Sequence, residues 1–287
     1  MFIFRAVWAV ISAITILITV NTSPVASDTA DAQLLSSETF VLNEALVMGQ
    51  GISNDGEYYY TSGSIAAIYL TSLAKYDMET LECVKKNIVA IPFEYMQMGY
   101  NHIGGISYYN SKIYASVEGE PDDKYIASIM TFDAETLKFD GGYYPLPYED
   151  YDDGVPWCAV DPDSGLLYAS KWTDAKKIYV YDTANGMSLV KTLEISGFDK
   201  LDRIQGGEIY NGVLYLSFDC EEGNVKKVLN VNIETGETSL AFLRDVGGDN
   251  DIEAEGITVK TVDGQPVFCV LDYNKAIGVF LRSYKLI

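Results

Sequence analysis

A small residue that opens a strand returns about every fifty positions, and this constrains the fold of the chain more than any other feature. It is Gly51 in "GQGISNDGEYYYTSG", Gly105 in "HIGGISYYNSKIYASVEG" and Ala159 in "PWCAVDPDSGLLYASKW". It returns as Gly207 in "IQGGEIYNGVLYLSFD" and Gly256 in "EAEGITVKTVDGQPVFCVLDY", with spacings of 54, 54, 48 and 49 residues. After each comes a tight polar turn ("SNDGE", "YNS", "DPDSG", "YNG", "VDGQ") and then a strand of alternating aromatic and aliphatic residues, the pattern of a hairpin. A second landmark keeps step with the first: Asp77 in "KYDMETL", Asp133 in "TFDAETL", Asp182 in "VYDTANG" and Asn232 in "NVNIETG". An Asp or Asn there closes a turn between a third and a fourth strand. Four strands per unit at this period are the signature of propeller blades.

The fifth unit stops at "GVFLRSYKLI", one strand short. An incomplete blade leaves an open edge, which propellers cover with a strand from the other terminus. The β-prone stretch "SETFVLNEA" (37–45) lies directly before the first unit and has the character to do so. The expected fold is therefore all-β, a five-bladed β-propeller in which an N-terminal strand completes the last blade. A β-sandwich accounts for the strands but not for two landmarks moving together.

The N-terminus reads as an export signal. Arg5 precedes the apolar run "AVWAVISAITILITV" (6–20), and small residues follow at "PVAS" and "ADA". Residues 1–32 are thus expected to be a signal peptide or an uncleaved anchor and 33–287 a single propeller domain, secreted or otherwise extracytoplasmic. Contact with a membrane is expected only through that N-terminal segment. The cysteines Cys83, Cys158, Cys220 and Cys269 show no metal-ligand spacing, and their pairing stays open.

With 20 Lys and Arg against 41 Asp and Glu, the formal charge is −21, which repels phosphate backbones. Nucleic acid is not an expected partner; a small molecule or peptide is, with the protein acting as a monomer. Ligands bind propellers where inner strands converge on one mouth of the central channel. The equivalent positions before the inner strands are Gln50, His102, Trp157, Gln205 and Glu255, and the ends of the second strands add Glu118, Lys171, Trp172, Asp219 and Asp272.

Three chemistries are open to this ring. His102, the only histidine in the chain, or Glu255, flanked by Glu253 and Asp251, can serve as a general base. Glu118, Asp219, Glu255 and Asp272 are oxygen donors suited to Ca²⁺, although no cofactor is required. Trp157 and Trp172 can stack on a sugar or a cation without catalysis. The Tyr-rich acidic stretches "EYYYTS" and "GGYYPLPYEDYDDG" also suit a protein-interaction platform.

The blade starts resemble those of the glutamine cyclotransferase (glutaminyl cyclase) family of five-bladed propellers over most of residues 37–287. That family's Q-G-L, E-G-L, W-G-L-A and N-E-L-E-Y-x-N-G stand beside "QGI" (50–52), "GGI" (104–106), "WCAV" (157–160) and "IQGGEIYNG" (204–212). The resemblance implies that Trp157 matches a substrate-pocket tryptophan and Gln205 a substrate-contacting asparagine. It also implies a gap, because Gly104 stands where the family has its proton-transferring acid and Gly206 where N-E-L-E has an acid. Cyclase chemistry then needs His102 in the acid's place. "HIGGI" and "AEGIT" are also similar to blade starts in secreted esterase-like, phytase-like and quinoprotein-like propellers, whose functions differ widely.

Overall fold

Five four-stranded antiparallel sheets follow one another along the chain in a computed structural model describing residues 32–41, 46–219, 225–247 and 251–287. Blade 1 comprises β2 (Ile52–Asn54), β3 (Tyr58–Ile65), β4 (Leu70–Asp77) and β5 (Cys83–Asn87). Blade 2 comprises β6 (His102–Tyr109), β7 (Lys112–Gly119), β8 (Ile126–Asp133) and β9 (Phe139–Pro145). Blade 3 runs through β10 (Trp157–Val160), β11 (Leu166–Ser170), β12 (Lys177–Asp182) and β13 (Ser188–Glu194). Blade 4 is β14 (Ile204–Tyr210), β15 (Val213–Phe218), β16 (Lys227–Asn232) and β17 (Thr238–Leu243). Blade 5 is β18 (Ile252–Val262), β19 (Gln265–Asn274) and β20 (Gly278–Leu286), with β1 (Ala32–Val41) as its outermost strand.

The ring is held by what lies between the sheets. Five apolar clusters each join two neighbouring blades, and one of them joins the last blade to the first, with Val47, Ile52 and Tyr59 packed against Cys269, Leu271 and Leu281. No blade has a sealed core of its own, so each is stabilised by burial against its neighbours. The small-residue landmark has a steric cause. A Cβ on Gly51 would stand 2.7 Å from Ile106 N, and one on Gly256 would stand 2.6 Å from Ile52 N. Inner strands approach too closely near the axis to carry side chains there.

The second landmark forms the expected turns. Asp77 Oδ1 accepts from the backbone N–H of Glu79 and Thr80, Asp133 Oδ1 from Thr136, Asp182 Oδ1 from Ala184, and Asn232 Oδ1 from Glu234 and Thr235. Each lies between the third and fourth strand of its blade.

The clasp is present and shifted upstream. β1 pairs antiparallel with β20, for instance Ser37 with Arg282 and Phe40 with Val279, beginning at Ala32 rather than near 37. Residues 42–45 of the expected strand, residues 1–31 of the expected signal or anchor segment 1–32, and Cys220 lie outside the described residues. Among the described residues no helix is long and apolar enough to cross a membrane.

Candidate functional site

His102 opens β6 opposite Glu118 of β7, and Gln50, just before β2, reaches it from blade 1. His102 Nε2 lies 2.9 Å from Gln50 Oε1. Facing an amide oxygen, Nε2 carries the proton and donates. Nδ1 then turns its other side to Glu118, 3.2 Å from Oε1 and off the line a hydrogen bond needs, so it has no hydrogen-bond partner. That contact is attractive only when one of the two groups holds a further proton. Glu118 is fixed through its second oxygen, which accepts from Val155 N at 2.7 Å. Gln50 in turn is tied to blade 5, its carbonyl accepting from Gly256 N at 2.8 Å. The imidazole is therefore positioned by contacts reaching four of the five blades.

His102 and Glu118 form part of the wall of a cleft of about 410 Å³, within the roughly 300–1,000 Å³ typical of small-molecule sites. Asn101, Glu120, Pro121, Tyr125 and Tyr69 complete its working surface. Tyr69 is held there with φ 55, in the left-handed region at the end of a 3₁₀ turn, a conformation unusual for a bulky residue. Burial, then Glu120 and Glu118, push the Tyr125 phenol up.

Glu255 occupies a different environment. A β-bulge in β18 places Glu255 and Gly256 opposite a single residue of β19, and bulges re-aim side chains. The residue is 1 % exposed and neither carboxylate oxygen has a hydrogen-bond partner. Burial, then Glu253 and Asp219, raise its pKa well above the ordinary carboxylate value against the opposing pull of Arg244 and Arg203. Burial and its acidic neighbours therefore favour the protonated form of Glu255.

The remaining expected residues are dispersed. Trp157 is wholly buried, its indole N–H donating to Ser170 Oγ at 3.0 Å, and it packs between blades 3 and 4. It offers no face to a ligand, which corrects its expected place in the pocket wall. The Trp172 ring is covered by the Arg203 guanidinium at 5.1 Å, an intramolecular cation where a ligand's was expected. Lys171 pairs with Asp152 at 2.9 Å and lines a separate, smaller cleft on blade 3. Gln205 sits at a bulge of β14, its carbonyl 3.3 Å from where a Gly105 side chain would begin. It is not among the residues lining the His102 cleft.

Asp219 and Asp272 are already paired. Asp219 accepts from Lys226 Nζ, from the Arg203 guanidinium and from Ala254 N. Burial pushes its pKa up, and Lys226 and Arg203 outweigh that and hold it low. Asp272 accepts from Arg244 and Arg282, with Asp272 and Arg244 both fully buried. With Glu118 bound by Val155 N, three of the four carboxylates considered for Ca²⁺ already have partners. Among the described residues no group of three His, Cys, Asp or Glu stands close enough to hold a metal ion.

Sequence reasoning passed over these counter-ions because it looked for ligands at the mouth and not for what neutralises them. It also passed over Glu208, whose Oε2 accepts from Thr258 Oγ1 at 3.3 Å while Asn54 Nδ2 donates to the same Thr258 oxygen at 2.7 Å, linking blades 4, 5 and 1. Burial raises the Glu208 pKa to about 8. The signal was its place three residues further along an inner strand already known to face the axis.

The two glycines that replace the cyclotransferase acids are sterically closed. A side chain at Gly104 would collide with the Pro156 carbonyl oxygen, and one at Gly206 would stand 2.7 Å from Gly256 Cα. This backbone admits no acid at either position.

No protein-family model matches the chain, and no curated protein matches it by sequence. Solved structures do. A Myxococcus xanthus glutaminyl cyclase superposes with a TM-score of 0.59 at 13% identity, covering 89% of this chain and 97% of that one. RS223-β-xylosidase superposes at 0.55 with 12% identity, covering 87% and 95%. An exo-1,5-α-L-arabinanase from a bovine ruminal metagenomic library superposes at 0.52 with 15% identity, covering 86% and 95%. At these identities the likeness is one of fold.

Proposed function

We propose that this chain is an exported five-bladed propeller that binds a small extracytoplasmic ligand in the cleft at the His102 mouth. The observation that carries this reading is the fixed imidazole. The one histidine of the chain is oriented by Gln50, faces Glu118 at 3.2 Å, and opens on a cleft of about 410 Å³. Mass spectrometry of the protein purified under native conditions tests it: one small molecule should accompany the wild type and be lost from His102→Ala. A protein with no companion molecule, or one retained equally by the variant, contradicts the reading.

A second reading is favoured by a separate observation, the unpartnered buried carboxyl of Glu255. A carboxyl that burial favours in its protonated form and an imidazole are the two kinds of group that acyl or cyclotransfer, or ester hydrolysis, requires. On this reading His102 takes the proton and Glu255 returns it. Turnover of N-terminal glutaminyl peptides, collapsing in His102→Ala, is the expected outcome; absence of turnover by the wild type removes the cyclase form.

A further inference from the structure

We propose that the His102 cleft selects an organic cation, a guanidinium or ammonium group on a short apolar stem. The inference rests on the reading of that cleft as the ligand seat and adds the chemical class of what sits there. Two carboxylates, Glu118 and Glu120, and two tyrosines, Tyr69 and Tyr125, line the cleft, and among the described residues no Lys or Arg does. An anion entering it would meet two carboxylates with only an imidazole to offset them. A cation would meet carboxylate oxygens together with phenol rings, whose faces attract positive charge.

The rest of the cleft suits the stem. Ala66, Pro121 and Gly99 supply apolar wall. Ile68, next to Tyr69 in the chain, and Met98, next to Gly99, are 65% and 50% exposed. The molecule as a whole draws cations inward, with a formal charge of −21, and a cleft with low-dielectric walls concentrates that field. On the same wall, burial first and then Glu120 and Glu118 push the Tyr125 phenol up.

Isothermal titration of the full chain with N-acetyl-arginine amide and with N-acetyl-citrulline amide tests the proposal, because the two probes share a shape and differ in charge. The arginine derivative is expected to bind at least about tenfold more tightly at low salt, the gap narrowing as salt screens the carboxylates. Glu118 also holds the Val155 backbone, so the variants are taken at the rim. Glu120→Gln and Tyr69→Ala should each weaken the arginine derivative by roughly threefold to tenfold at an unchanged melting midpoint. Equal binding of both probes, or binding of neither, overturns the charge selectivity. Arginine binding that neither variant weakens places the cation elsewhere and overturns the proposal as well. The co-purified small molecule separates the two levels. If it is retained by wild type and lost in His102→Ala while the arginine probe fails, the ligand seat stands without the cation; if it too is unaffected by His102→Ala, the seat itself is wrong.

Discussion

At the scale of single residues, burial has distributed the chemistry of the ring very unequally. Of the expected mouth residues, His102, Gln50 and Glu118 meet, Asp219 and Asp272 are neutralised by cations, and Glu255 alone is buried without a partner. Asp272→Asn leaves Arg244 and Arg282 facing an uncharged amide in the interior. It should destabilise the fold by about 3–5 kcal/mol, measured by chemical denaturation. Glu208 gives a pH signature. Its folded-state pKa, about 8, is above that of an exposed glutamate, so the folded protein holds a proton that the unfolded chain releases. Its contribution is fully present below about pH 4.5 and is lost as pH rises toward 8. Glu208→Gln should flatten the fall in denaturation midpoint between pH 5 and pH 8.5; an unaltered slope would show that other groups cause it. Restoring the cyclotransferase acid as Gly104→Glu should cost at least about 1–3 kcal/mol through collision with Pro156 and bring no cyclase turnover.

At the scale of elements, β1 is the test of the ring. It covers the edge of β20 over its whole length, from Ala32 opposite Leu286 to Val41 opposite Gly278. Deleting residues 32–41 should lower the melting midpoint by roughly 5 °C or more, equivalent to about 2 kcal/mol, and promote association through the bared edge. An unchanged midpoint would show that the clasp contributes nothing. This element was legible in sequence because a fifth unit one strand short and a β-prone stretch ahead of the first unit can only complete each other. Its register was not, since β1 is mostly exposed and little burial pins one alignment over another. The Asx turns at Asp77, Asp133, Asp182 and Asn232 were equally legible, because their chemistry is local. Trp157 was misplaced for the opposite reason. A tryptophan at a strand start reads the same whether it faces the channel or the wedge between blades, and only the tertiary packing of blade 4 decides.

At the scale of the whole molecule, the fold is a closed ring whose axis is crowded by glycine backbone and whose polar opening is displaced toward blades 1 and 2. The five-blade count followed from two periodic landmarks, but the displacement did not. It comes from Tyr69, Glu120 and Tyr125, loop and rim residues with no repeat equivalent to mark them. The central claim, that a ligand sits against His102, has a direct readout because the chain contains a single imidazole. Its ring ¹H–¹⁵N signals form one isolated set, which can be followed while the co-purified small molecule, once stripped, is titrated back. The account predicts that this one set shifts in proportion to occupancy, and that Glu120→Gln requires more ligand for the same shift. Saturable binding that leaves the imidazole signals unmoved would contradict it.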